Sequence, residues 1–308
     1  MKLYNREYNE FQNDFEKMWE FIKNDYKDKK YFIWTLGRLG DWKFGIWNEK
    51  KYIPSFLSKN ARLWFTSFHE LVGFVISEEG DNAFCMFTKQ GYEFLYEDIM
   101  NWVVENWKNR GTSIVTEVHE HQENYMRVLE DKGFVNNGLV AKTRKYNLQN
   151  KAMEEIILDS EFRIVDMKMN QDYKGKRLLQ ENAFRNDNDV TEISLLAYEY
   201  SRECPCYNPY FDLSVIDKEG VHVAGCCGFV DYENKFAEIE RVCTHSEYRR
   251  RGFAEAVIRE CFKRLTNNGF TYAYITGFND GANHLYDKLG AVEQKNWYHY
   301  ELPPMIGL

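Results

Sequence analysis

One short run in this chain has the residue types to hold a chain of phosphates: Arg249-Arg250-Arg251-Gly252-Phe253-Ala254. It follows a strand-like run at 237–244. It opens an apolar series, Phe253, Val257, Cys261 and Leu265, at helical spacing. Strand, basic turn and helix are therefore predicted in succession. A helix start presents backbone N–H groups without intrahelical partners and the positive end of the helix dipole. Gly252 lets an anion approach the backbone, and the small Ala254 keeps the first turn uncrowded. A helix start alone stabilises an anion by only about 0.3–2 kcal/mol, so the arginine charge and several N–H donors must act together.

Downstream lie Gly269, a strand-like stretch at 271–276, and a segment at 279–290 that contains Asn279, Ala282 and Leu285-Tyr286-Asp287-Lys288-Leu289-Gly290. The run from 237 to 300 resembles the GNAT N-acetyltransferase superfamily. Members of that family show a strand, Arg/Gln-x-x-Gly-x-Gly/Ala, a helix and a second strand. Asn, Ala and Leu-Tyr-x-Lys-x-Gly then follow in that order. The sharp motifs cover about a fifth of the chain.

The resemblance implies transfer of an acetyl group from acetyl-CoA, as co-substrate, directly to an amine of a small molecule or peptide. It places the diphosphate on the backbone N–H groups of Arg250, Arg251, Gly252, Phe253 and Ala254, with Arg249 ordering the turn. The pantetheine arm is expected to pair with the strand edge at Val242, Cys243 and Thr244 as a pseudo-strand, with Asn279 contacting it. Tyr286 stands at the family's tyrosine position, where a phenol protonates the departing thiolate. For the amine proton, Glu238 and Glu240 alternate on one strand face, and Glu240 is the first candidate base. An ion pair of these carboxylates with Arg241 or Lys235 is the competing reading, and His245, His284 or a water chain are alternatives. Cys243 lies near the expected thioester, but direct transfer does not use a covalent acetyl-cysteine. A different class of function is an acyl-CoA sensor that binds without turnover.

The elements that must position these residues occur twice. Leu71-Val72-Gly73-Phe74-Val75-Ile76 reads like the strand at 223–230. Leu95, Ile99, Val103 and Trp107 repeat the helical spacing of 253–265, and a strand at 113–118 and a short helix at 126–133 follow. The offset of roughly 158 residues suits a duplicated domain rather than a solenoid. Gly91, Glu93 and Phe94 stand where the second copy has Arg249, Arg251 and Gly252, and Leu129 replaces Tyr286. A bulky Phe and an anionic Glu both oppose a phosphate. The expected architecture is α+β (α/β): two tandem GNAT-like domains, each a mixed, mostly antiparallel central sheet flanked by helices. The first, 1–150, is degenerate and structural or cleft-forming; the second, 151–308, carries the acetyl-CoA site. The polar stretch at 147–160 marks the boundary, and 182–189 reads as a mobile loop. Residues 204–210 read as an ordered loop, and Phe11, Phe15, Met18, Trp19 and Ile22 as one amphipathic helix.

Composition narrows the class further. With 308 residues, 44% hydrophobic and 17% aromatic, each half can bury a sizeable core. A net charge of -8 without a basic stripe argues against nucleic acid, and it suits a cationic amine. No run approaches the ~20 apolar residues of a membrane helix, and the N-terminus carries no apolar signal segment, so a cytoplasmic protein is expected. Seven cysteines, an odd number, do not read as a disulfide framework. Neither Cys204-Pro205-Cys206 nor His119-Glu120-His121 has a partner pair at zinc spacing, so no metal is expected. Oligomeric state and the identity of the amine stay open.

Overall fold

The computed structural model describes residues 2–29, 34–47, 49–149 and 157–304. In chain order the elements are β1 Leu3–Glu7, α1 Asp14–Lys29, α2 Leu36–Phe44, α3 Pro54–Lys59, β2 Ala61–Thr66, β3 Leu71–Ile76, β4 Ala83–Thr88, α4 Leu95–Trp107, β5 Ile114–His119, α5 Glu123–Asp131 and β6 Val135–Asn147. Then come β7 Arg163–Asp166, α6 Tyr173–Gln180, α7 Glu192–Ser201, β8 Asp212–Ile216, β9 His222–Asp231, β10 Phe236–Thr244, α8 Phe253–Asn267, β11 Tyr272–Gly277, α9 Asp280–Lys288 and β12 Glu293–Leu302.

These elements form two compact units that interleave along the chain. The first comprises Met1–Trp34, Lys50–Lys142 and Lys295–Leu308; the second comprises Thr35–Glu49 and Thr143–Gln294. A single cut near 150 therefore does not describe the units. The segment with α2 joins the second unit, the last strand joins the first, and β6 begins in one and ends in the other. Part of the expected linker, 150–156, lies outside the described residues.

Each unit is a mixed, mostly antiparallel sheet flanked by helices. In the first the strand order is β1-β2-β3-β4-β5-β12, followed by the start of β6. All pairs from β1 to β4 are antiparallel, β4–β5 is parallel and β5–β12 antiparallel. In the second the end of β6 is followed by β11-β10-β9-β8-β7. Here β7–β8, β8–β9 and β9–β10 are antiparallel and β10–β11 is parallel. The pattern of three antiparallel pairs and one parallel pair recurs, as the repeat predicted.

In the second unit α8 forms because Phe253, Val257, Cys261 and Leu265 recur every four residues and all are buried. They pack into one core with Phe211, Val215, Ile239 and Ile275, each fully buried aliphatic or aromatic side chain stabilising by about 1.5–3 kcal/mol. The helix stops at a backbone turn through Gly269, whose φ of +79° suits a residue without Cβ. In the first unit Leu95, Ile99, Val103 and Trp107 play the same part against Val72, Phe84 and Met86.

Two local expectations are corrected. Phe11 is 98% exposed and sits in a 3-10 turn ahead of α1, while Phe15, Met18 and Ile22 are buried. The polar stretch from 182 does not begin as a loop. Residues Glu181–Arg185 extend α6 as a π-helical turn, and Asn182 is buried, its Oδ1 accepting the Ser246 N–H at 2.8 Å. Residues 204–210 are ordered as expected: the Tyr207 hydroxyl donates to Asp212 at 2.9 Å, and Val230 N–H donates to the Cys206 carbonyl at 2.9 Å. Tyr198 is fully buried and donates to the same Asp212 carboxylate at 2.6 Å, a core role.

Candidate active site

The site is built where β10 and β11 part. Their parallel ladder pairs Phe236, Ala237 and Glu238 with Tyr272, Ala273 and Tyr274, and then ends, although β10 runs on to Thr244 and β11 to Gly277. On its other side β10 stays paired with β9, through a bulge between Glu240 and Cys243. Arg241 at the bulge has φ +54°, the left-handed backbone that bends a strand and re-aims side chains. The β10 edge at Val242, Cys243 and Thr244 thus has no strand partner on the β11 side among the described residues.

From β10 the chain turns through Ser246–Tyr248 into the basic loop. Arg250 has φ +62° and Gly252 φ +79°, and Gly252 caps α8 with no side-chain hydrogen bond. Within the described residues no acceptor takes the backbone N–H groups from Arg250 to Glu255; the first used is that of Ala256, bonded to the Gly252 carbonyl at 3.0 Å. Successive amides in left-handed turns followed by a helix start form an anion-binding concavity. A Cβ at Gly252 would meet nothing within 4 Å, so the space beside it is open. The arginine side chains differ. Arg251 lies over Phe162 and Phe253, 4.7 and 5.0 Å from the ring centroids, with Asp159 at 3.7 Å, and so braces the loop. Arg249 reaches the Ala183 carbonyl at 3.5 Å. Arg250 is exposed and has no partner among the described residues.

The corresponding turn of the first unit is chemically spent. Its Gly91 N–H donates to the Glu93 carboxylate at 3.0 Å, and Leu95 N–H and Tyr96 N–H donate to the carbonyls of Tyr92 and Glu93. Phe94, at the position of Gly252, is helical and half exposed. The Glu93 carboxylate thus opposes an anion by charge and also occupies the Gly91 amide.

On the far side of the wedge stands α9. Asn279 caps it, its Oδ1 accepting Ala282 N–H at 2.9 Å. That oxygen holds the start of the helix, and the amide NH2 has no partner among the described residues. Tyr286 is 6% exposed; burial, with Glu240 next in effect, holds its phenol above the usual range, so it carries its proton at neutral pH. Gly277 allows the close fit of α9 on β11: a Cβ there would meet Asn283 Oδ1 at 2.5 Å and Tyr286 Cδ2 at 3.2 Å.

Glu238 and Glu240 differ as candidate bases. Glu238 is buried and accepts a hydrogen bond from Thr35 Oγ1 at the start of α2. Burial outweighs that bond and the nearby Arg38, so its carboxyl is pushed up to about 7. Glu240 keeps part of its surface open and has no hydrogen-bond partner among the described residues. Burial of its carboxyl and the neighbouring Glu238 and Asp41 hold it well above the usual carboxylate range. Neither carboxylate takes Arg241 as ion-pair partner; Arg241 bonds Asp41 at 2.6 Å instead. Thr35, Arg38 and Asp41, which the linear reading left in the other half, thus shape this site. Cys243 is buried and its thiol is pushed up to about 12, which suits a packed thiol and not a nucleophile. His245 accepts Glu247 N–H in its own turn, and His284 is exposed on α9.

All seven cysteines carry free thiols. Among the described residues no group of three or more His, Cys, Asp or Glu side chains is placed to hold a metal, and no helix is long and apolar enough to cross a membrane.

Residues 177–291 match the model of the acetyltransferase (GNAT) family. Over nearly its whole length the fold is similar to that of a GCN5-related N-acetyltransferase from Sphaerobacter thermophilus, with TM-score 0.64 at 15% identity, covering 99% of this chain and 98% of that one. It is similar to a tandem GNAT protein from the clavulanic acid biosynthesis pathway, with TM-score 0.65 at 8% identity and 98% of both chains covered. It is also similar to a GNAT-family acetyltransferase from Colwellia psychrerythraea, with TM-score 0.60 at 14% identity, covering 98% of this chain and 100% of that one. No curated protein sequence matches the chain. With the splayed β10–β11 pair and the amide-lined turn between β10 and α8, residues 177–291 match the acetyltransferase (GNAT) family model, and the whole chain has a fold similar to that of a tandem GNAT protein.

Proposed function

We propose that the second unit is an N-acetyltransferase that moves an acetyl group directly from acetyl-CoA to a primary amine of a small molecule or peptide, and that the first unit keeps the fold without the anion site. The observation that carries this reading is the contrast between the two turns. Six consecutive amides, Arg250 to Glu255, are unspent in the second unit, whereas Gly91, Leu95 and Tyr96 are bonded within the first.

The residues present fit the co-substrate. The amides and Arg250 would take the diphosphate. The open edge of β10 would take the amide-bearing arm by main-chain bonds. The arm's thioester would then lie between Glu240 and Tyr286, groups close enough for the carboxylate to raise the phenol. In the transfer step the amine lone pair attacks the acetyl carbon and the C–S bond breaks. The amine proton passes to Glu240, directly or through one water, and the Tyr286 hydroxyl gives its proton to sulfur. A carboxyl held above its usual range is a better proton acceptor near neutral pH than an ordinary one. A phenol that keeps its proton is a competent donor.

Acetyl transfer to an amine panel, followed as free thiol release, tests the reading. Tyr286→Phe is expected to lower kcat at least about tenfold while acetyl-CoA affinity changes little. Unchanged turnover in that variant, or thiol release that does not depend on an amine, removes the assignment. Tight acetyl-CoA binding without transfer to any amine would instead identify a sensor.

A further inference from the structure

The phenol of Tyr286 has no hydrogen bond of its own among the described residues. Its position therefore depends on how α9 is held, and the holder is a residue from the end of β6. Along that strand Thr143, Arg144 and Tyr146 are buried while Lys145 is partly exposed. Period-two alternation puts Arg144 and Tyr146 on the same face. Both reach α9. Arg144 Nε donates to Asp287 Oδ1 at 2.7 Å, and its Nη1 donates to Asn283 Oδ1 at 2.9 Å. The Tyr146 hydroxyl donates to the backbone carbonyl of Tyr286 itself at 2.8 Å.

Asn283 and Asp287 are one helical turn apart and share a face, and Tyr286 lies between them in sequence. Arg144 grips both with one planar guanidinium, whose donors have a fixed fork geometry. The guanidinium side chain is 1% exposed, whereas that of Asp287 is 61% exposed. Burying an arginine this deeply carries a desolvation cost that an apolar side chain of similar length, such as methionine, does not. The adjoining contact is equally specific: Gly277 leaves room for Asn283 and Tyr286 that a Cβ would remove.

We propose that Arg144 is a positioning residue for the transfer step, fixing the rotation and depth of α9 through Asn283 and Asp287 so that the Tyr286 hydroxyl meets the departing sulfur. This rests on the acetyltransferase reading above for its chemistry, but the clamp itself does not. In this role Arg144 acts through α9, by way of Asn283 and Asp287, and not on the reacting atoms.

The test uses the full chain and the variants Arg144→Met, Arg144→Lys, Tyr286→Phe and the double variant. Arg144→Met is expected to lower kcat at least tenfold with the KM for acetyl-CoA within about threefold, and Arg144→Lys, which restores one donor, to recover part of the loss. In the Tyr286→Phe background Arg144→Met should cost little further, because the group it positions is gone. An equal loss in both backgrounds marks Arg144 as merely structural and overturns the proposal, as does full kcat in Arg144→Met. Amide hydrogen exchange across α9 supplies a readout that needs no turnover. It is expected to quicken in Arg144→Met at 283–288, less so in Arg144→Lys, and unchanged protection also overturns the clamp. If the wild-type chain transfers no acetyl group, the enzymatic reading falls, and the exchange result alone decides whether Arg144 holds the helix.

Discussion

Gly252→Ala and Gly91→Ala form a matched pair of perturbations. The two glycines sit at equivalent turns with φ +79° and +86°, and a Cβ on either meets nothing within 4 Å. Steric crowding is thus absent from both, and the whole local cost is the left-handed backbone, about 1–2 kcal/mol for a residue with a Cβ. If coenzyme A requires the left-handed conformation at 252, binding must restore it against that cost. Affinity should then fall about 5–30-fold, since 1.4 kcal/mol is a factor of ten. Gly91→Ala carries the same conformational cost in a turn whose glycine amide is already bonded to Glu93, so coenzyme A affinity should not change. Titration calorimetry with coenzyme A, at one ionic strength, measures both. Equal affinities for the two variants, or a loss confined to Gly91→Ala, would refute the assignment of the diphosphate to the 250–255 amides.

Two further outcomes concern the carboxylates. Glu238 has its folded-state carboxyl raised from 4.5 to about 7, so the folded chain binds this proton more tightly than the unfolded one. Stability is full below about pH 4.5 and declines as pH rises through 7, by up to about 3 kcal/mol at 1.36 kcal/mol per unit. Glu238→Gln should flatten that decline in urea unfolding at pH 5 and pH 8; a variant with the same slope as the wild type contradicts it. Glu240 is raised in the same direction, so kcat/KM should fall on the acid side, beginning above the ordinary carboxylate range. Glu240→Gln should abolish that limb and lower the plateau about 10²-fold, and a retained limb would assign it to another group.

Local pattern made the second unit's site legible. The apolar spacing of 253, 257, 261 and 265 and the two motifs are properties of neighbouring residues, and α8, β11 and α9 follow from them. The unspent amides of 250–255 are also local, since a turn with two left-handed residues and no capping side chain leaves them so. What the sequence hides is carried by pairing over long separations. Arg241 finds Asp41 200 positions away, and Glu238 finds Thr35 203 positions away. Arg144, 143 positions before Asp287, reads as one more charged residue in a strand that alternates. Linear order assigned 35–49 and β12 to the wrong units because no composition shift marks the exchange. The amphipathic reading of Phe11 failed for a smaller reason. Asn9 caps a separate 3-10 turn, and Asn13 at φ +54° breaks the helix before Phe11 can join it.

The placement of β12 in the first unit bears on how the chain is made. Strand β5 ends at His119, and its partner residues 297–302 belong to β12, the last strand among the described residues. A ribosome working at about 5–20 residues per second needs on the order of ten to forty seconds to span that gap. Through that interval the edge of β5, with its row of bonding groups, stands uncovered while the second unit is being synthesised. The front half of this protein therefore finishes last, and a nascent chain halted short of its final strand would present a β-edge open to wrong partners.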